Sequence, residues 1–242
     1  MKIKSVLRVA AFVLVVTIIM LTTNLACAQD LEDTSIIQLD TCTLAVLETN
    51  EYYGSRPLMI FFPGSGECNN INSAVKWLES YHIYDDIDCD IIVVTKRSAG
   101  CEYRDWEPVA MEVLEYLEPY YSVLSDDDIF PIIIDAVSFG GYGGVFFSEL
   151  AMENGVFVDE LNLADAVSFP LTVERIEDLT QSGTFVNAWA CNGGSDISKR
   201  TRNVIDELLG SRNFFGTTIY TSHGAVLSKA VQEEGLHSEF AD

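Results

Sequence analysis

The stretch from Pro131 to Gly144 reads Pro-Ile-Ile-Ile-Asp-Ala-Val-Ser-Phe-Gly-Gly-Tyr-Gly-Gly. Ile132 to Asp135 have the apolar, β-branched character of a buried strand, and Gly141 to Met152 read as a helix that is apolar on most faces. Ser138 lies between the two, with Ala136 two residues before it and Gly140 two residues after it. A serine caught between a strand end and a helix start projects its Oγ from the sheet edge under backbone strain. Larger side chains at 136 or 140 would clash where the two backbones nearly touch.

The remaining periodicity extends this strand-to-helix unit along the chain. Leu58 to Phe62 is a short apolar run that enters Pro63-Gly64-Ser65-Gly66, a strand followed by a glycine-rich loop. Ile71 to Tyr81 places Ala74, Val75, Leu78 and Tyr81 at helical spacing, and Ile91 to Thr95 is another buried strand. Asp105 is placed to cap a helix whose apolar face is Trp106, Val109, Val113, Leu114, Leu117 and Tyr121, with Pro108 in its first turn. Leu161 to Phe169, Thr184 to Ala190 and Gly216 to Thr221 are predicted strands, and Leu44 to Thr49 an early antiparallel one. Thr201, Val204, Ile205, Leu208 and Leu209 form one helical stripe, and Val226, Leu227, Ala230 and Val231 another. Strands that alternate regularly with helices imply an α/β fold with a mostly parallel sheet covered on both faces. Ligands of such sheets bind beyond the carboxyl ends of the strands, where Ser138 is expected.

At 242 residues the chain has length for one sizeable core, and no linker divides it. Lys2, Lys4 and Arg8 precede an apolar run from Val9 to Leu21, and Ala26-Cys27-Ala28 follows, so residues 1–28 are read as an export signal. Residues 29–242 are then a single secreted catalytic domain. An uncleaved anchor and acylation of Cys27 are the alternatives, and only these would bring the protein to a membrane. The run is shorter than the roughly 20 residues that span a bilayer. Cleavage removes three basic residues and no acidic one, taking the formal charge from −23 to −26. A chain this acidic is a poor partner for nucleic acid, whose phosphates are neutralised by Lys and Arg. Cys42, Cys68, Cys89, Cys101 and Cys191 would remain, an odd number, with Cys68 and Cys101 the expected bridge. There is no cysteine-histidine cluster at zinc spacing, and neither a metal nor a cofactor is expected.

A serine at neutral pH needs a base within hydrogen-bond reach and an acid that orients the base. His223 follows the strand Gly216 to Thr221 directly, which sets it at the same sheet edge as Ser138. His237, in the C-terminal tail, is the alternate base, and His82 reads as a surface residue. Asp196 follows the strand Thr184 to Ala190 in a glycine-containing loop and is the expected acid; Asp165 is the fallback. Asp135 is too close to Ser138 in sequence to reach behind the imidazole. The backbone N–H groups of Phe139 and Ser65 are expected to bind the oxyanion of the tetrahedral intermediate.

Pro63-Gly64-Ser65-Gly66, then Ala136-Val137-Ser138-Phe139-Gly140, then Asp196, then His223 resembles the α/β-hydrolase superfamily in order and strand context. The resemblance implies a sheet of about eight strands, a Ser-Asp-His triad in that chain order, and acyl-transfer chemistry without a cofactor. Ala136 stands where the family usually has glycine, and Pro63 replaces a histidine common before the oxyanion glycine. Between Phe169 and Thr184 there is room for a short helix at most, where many relatives insert a lid. A site with little or no lid is open. The expectation is a carboxylic-ester hydrolase acting on short-chain or exposed acyl groups, with a small ester or an acylated polysaccharide as substrate. Trp106, Tyr142 and Trp189 are candidates for an acyl pocket, with core packing as the competing role. An amidase, a peptidase or an acyltransferase could use the same serine, and an inactive hydrolase fold that binds a ligand is the alternative of a different class.

Overall fold

The computed structural model describes residues 34–47, 56–81, 83, 89–99, 102–121 and 131–238. The chain divides into one unit of Met1–Thr34 and a second of Ser35–Asp242, and every described residue except Thr34 belongs to the second. The residues read as an export signal, with Cys27, His82 and Cys101, lie outside the described residues.

Eight strands form one sheet: β1 (Ser35–Gln38), β2 (Cys42–Leu47), β3 (Leu58–Phe62), β4 (Asp90–Lys96), β5 (Ile132–Val137), β6 (Glu160–Ala164), β7 (Phe185–Cys191) and β8 (Phe214–Ile219). Their spatial order is β1-β2-β4-β3-β5-β6-β7-β8. β2 runs antiparallel to both neighbours, and β3 through β8 are mutually parallel. The helices are α1 (Ile71–Ser80), α2 (Trp106–Tyr121), α3 (Gly140–Glu153), α4 (Val173–Ser182), α5 (Asp196–Leu208) and α6 (Val226–Glu234).

Two hydrophobic layers sandwich the sheet because alternate strand residues point to opposite faces. Ile132, Ile134 and Ala136 of β5 pack with side chains of α2, α3, α4 and α5, whereas Ile133 and Val137 pack with those of α1 and α6. Strands buried on both faces need no polar alternation, and every residue of β4 and β5 is buried. The second face nonetheless carries a polar row. Asp135, Asn162 and Asn187 are register partners on β5, β6 and β7, with Asn162 Nδ2 donating to Asp135 Oδ1 (2.9 Å) and Asn187 Nδ2 to Asn162 Oδ1 (2.9 Å). Each buried amide thereby finds a partner one strand away, as buried polar groups require.

Two elements differ from the sequence reading. β6 stops at Ala164 instead of continuing to Phe169, because Asp165 adopts φ 49°, a left-handed conformation that no strand can continue through. Asp105 does not act as a simple helix cap; its Oδ2 accepts from the buried Lys96 Nζ at 2.9 Å, and Lys96 also lies 5.3 Å from the Trp106 ring centre. An ammonium with no solvent exposure needs such a partner. Cys68 is disulfide-bonded, and Cys42, Cys89 and Cys191 are buried thiols.

Candidate active site

Ser138 is the first residue past β5 and adopts φ 54°. A non-glycine residue in this region carries roughly 1–3 kcal/mol of strain, held in place by the surrounding structure. Two glycines account for the holding. A Cβ at Gly140 would lie 2.1 Å from the Phe62 carbonyl oxygen, and one at Gly141 only 1.9 Å from that of Ala166. The start of α3 is therefore pressed against the end of β3 and the chain just past β6 at a distance only glycine allows. Ser138 N–H donates to the Ala164 carbonyl (3.3 Å), and Gly141 N–H donates to the Ser138 carbonyl (3.1 Å).

The loop after β3 closes over the serine from the other side. A Cβ at Gly64 would stand 3.1 Å from Ser138 Cβ and 3.7 Å from its Oγ. The loop residue against Ser138 is thus Gly64, with the exposed Ser65 next in the chain. Phe139 is the residue before α3, at a helix end whose first N–H groups have no intrahelical acceptor. Both expected oxyanion donors belong to segments that flank Ser138.

His223 opens the turn His223–Ala225 after β8, and its side chain is 39% exposed. Its Nδ1 lies 2.5 Å from Asp165 Oδ2, in a pair whose carboxylate has no solvent exposure. The acid beside this imidazole is therefore Asp165 rather than Asp196. Asp196 begins α5 with 94% of its side chain exposed and faces Lys199 one turn on at 3.5 Å. A carboxylate there favours the helix dipole.

Asp165 is held by more than the histidine. Ser198 Oγ donates to Oδ2 at 2.6 Å, and Cys191 N–H donates to Oδ1 at 3.3 Å. Ser198 is in turn fixed by Ser195, whose Oγ caps the Ser198 N–H at 3.1 Å. Burial acts to raise the Asp165 pKa, but hydrogen bonds from His223, Ser198 and Cys191, with the charge of the imidazole, hold it below the ordinary carboxylate value. An ionised acid on Nδ1–H leaves Nε2 as the lone pair that can take a proton. Ser198 escaped the sequence reading; its spacing of three from Ser195 at a helix start was the available signal.

His237, the alternate base, is elsewhere. It is 1% exposed, and its Nε2 lies 3.0 Å from Asp135 Oδ2, at the end of the polar row on the sheet face covered by α1 and α6. Asp135 does sit behind an imidazole, but that of His237. Trp106 (0% exposed), Tyr142 (7%) and Trp189 (3%) are core residues. A cleft of about 470 Å³ lined by Glu177, Gln181 and Arg212 lies by the end of α4 and the chain entering β8, at the opposite edge from Ser138. Among the described residues no group of three or more His, Cys, Asp or Glu side chains is arranged to hold a metal ion.

A serine in a strained strand-to-helix turn, a histidine after β8 and this strand order are those of the α/β-hydrolase fold, which the chain adopts. Solved structures agree. The chain is similar to an alpha-beta serine hydrolase homologue from Coxiella burnetii at 15% identity and TM-score 0.56, covering 87% of this chain and 98% of that one. It is similar to carboxyl esterase 2 from Tuber melanosporum at 12% identity and TM-score 0.58, covering 85% and 83%. An enterochelin esterase from Shigella flexneri matches at 13% identity and TM-score 0.57 over 85% of this chain, which spans 57% of that protein's length. No protein-family model matches the sequence, and no curated protein is significantly similar to it.

Proposed function

We propose that this protein is a serine hydrolase of carboxylic esters, with Ser138 as nucleophile, His223 as general base and acid, and Asp165 as the orienting acid. The observation that carries the reading is the 2.5 Å contact between His223 Nδ1 and the buried Asp165, at the same sheet edge as the left-handed Ser138. His223 Nε2 takes the hydroxyl proton as Ser138 Oγ bonds to the ester carbonyl carbon. The carbonyl electron pair moves onto oxygen, where the N–H groups of Phe139 and the Gly64-Ser65 loop receive it. As the pair returns, the bond to the alcohol oxygen breaks and the imidazolium gives its proton to the leaving alkoxide. Water repeats the sequence on the acyl-enzyme and restores Ser138. Asp165 stays ionised throughout and stabilises the imidazolium.

Esters are favoured as the bond class by the structural neighbours, among them an enterochelin esterase and a carboxyl esterase. β6 and β7 are joined by a loop and the ten-residue α4, which suits an open site and short or exposed acyl groups. The protein is also proposed to act after export: residues 1–28 have the pattern of a signal, and a disulfide at Cys68 persists in an oxidising compartment. The test is hydrolysis of short-chain 4-nitrophenyl esters by the purified protein and by Ser138→Ala. Loss of at least about a thousandfold in kcat is expected; full activity in the alanine variant would refute the assignment.

A further inference from the structure

Past the carboxyl ends of β4, β5 and β6, the edge at which Ser138 lies, runs a chain of aromatic rings that the reaction above does not use. Phe169, four residues past Asp165, is 64% exposed. Its ring meets Tyr103 edge-on at 6.0 Å, Tyr103 meets Tyr142 edge-on at 5.6 Å, and Tyr142 stacks on Phe146 at 5.9 Å. Tyr142 lies in the first turn of α3, the helix that follows Ser138, so the run leads from that helix to an exposed ring. Three guanidinium groups lie on these rings: Arg200 5.9 Å from the centre of Phe169, Arg104 5.6 Å from Tyr103, and Arg175 5.4 Å from Tyr142. Arg175 is paired with Glu149 at the buried end. Arg104 and Arg200 are exposed, and neither is ion-paired among the described residues.

In a chain of formal charge −23, two exposed guanidinium groups, Arg200 on the exposed Phe169 and Arg104 on the half-buried Tyr103 within reach of the Glu102 charge, make a locally distinct surface. The rings offer a π-face and edges to another aromatic group, and the guanidinium groups offer forked donors to a carboxylate. Resting on the serine-hydrolase reading, we propose that Phe169, Tyr103, Arg104 and Arg200 form a substrate subsite for an aromatic ring bearing a carboxylate, and hence that the natural ester carries, besides the ester group itself, an aromatic ring with a free carboxylate. Phe169 supplies the ring contact, and Arg200 the charge recognition.

Binding to the purified protein is measured by NMR titration with benzoate, benzamide, cyclohexanecarboxylate and galacturonate. Benzoate is expected to bind about tenfold more tightly than the neutral amide or the non-aromatic acids, the scale of one exposed cation–π or charged contact. Phe169→Ala and Arg200→Gln each erase that preference, while Leu209→Ala, 70% exposed at the far end of α5, retains it. Benzoate also slows labelling of Ser138 by a fluorophosphonate. Equal binding of benzoate and cyclohexanecarboxylate, tighter binding of galacturonate, or a preference that survives both substitutions would overturn the subsite; the wild-type series alone suffices if a variant fails to fold. Labelling of Ser138 without a benzoate preference removes the subsite and leaves the hydrolase reading standing. The preference without labelling does the reverse.

Discussion

Ser138 holds a backbone conformation that suits glycine better than serine, with φ 54°. The strain is set by the strand-to-helix turn and not by the hydroxyl, so Ser138→Ala keeps it and Ser138→Gly relieves it. Both variants should be inactive, yet the glycine variant should melt higher than the alanine one by about 2–4 °C per kcal/mol released. Differential scanning calorimetry of the pair decides this, and a lower melting point for Ser138→Gly would show the turn to be unstrained. Ser198 donates to Asp165, so under the proposed mechanism it acts as a positioning residue and does not touch the reacting atoms. Ser198→Ala should lower kcat roughly tenfold with little change in KM, the scale of one hydrogen bond to a charged group. Ser198→Thr, which keeps a hydroxyl, should restore part of it; steady-state kinetics on a short-chain ester measure both.

At the scale of elements, the β1–β2 corner is fastened to α2 by one carboxylate. Glu112 accepts from the N–H groups of Asp40 (2.7 Å), Thr41 (2.8 Å) and Cys42 (3.2 Å) and from the Thr41 hydroxyl (2.6 Å). Burial acts to raise the Glu112 pKa, but the bonds from Thr41, Asp40 and Cys42 hold it below the usual glutamate value. A carboxyl depressed on folding stabilises above its unfolded pKa of about 4.3 and loses that contribution as pH falls through the folded value. Glu112→Gln should therefore cost about 1–2 kcal/mol at pH 7, and the gap to wild type should close below about pH 4. Urea midpoints at the two pH values test the sign; a gap that widens in acid would contradict it. The contact between α3 and the chain just past β6 has no such give. Gly141→Ala places a methyl 1.9 Å from the Ala166 carbonyl oxygen and should cost about 3 kcal/mol or displace α3 from the sheet.

For the molecule as a whole, the alternation of strands and helices was legible because a sheet buried on both faces writes nearly continuous apolar runs, as in Ile91 to Val94 and Ile132 to Ile134. The turn at Ser138 was legible because Gly140 and Gly141 sit where carbonyl oxygens leave no room for a Cβ. His223 could be placed from the strand before it. The carboxylate beside it could not, because its position depends on where β6 ends, and that is set by the backbone conformation of Asp165 and by Ser198 from a helix more than thirty residues on. Periodicity carries no record of either, so a longer strand absorbed Asp165 and the glycine-containing loop drew attention to Asp196. The charge of −23 belongs to this scale too: self-repulsion should make the protein melt higher as salt rises from about 10 mM to about 300 mM, where the Debye length falls well below 10 Å. The central claim, an activated Ser138 served by His223 and Asp165, is tested most directly by fluorophosphonate labelling with mass mapping in the wild type, Asp165→Asn and Asp196→Asn. Stoichiometric label is expected on Ser138 in the wild type and Asp196→Asn, with labelling slowed by at least about a thousandfold in Asp165→Asn. Rapid labelling of Asp165→Asn, or label on another serine, would contradict it.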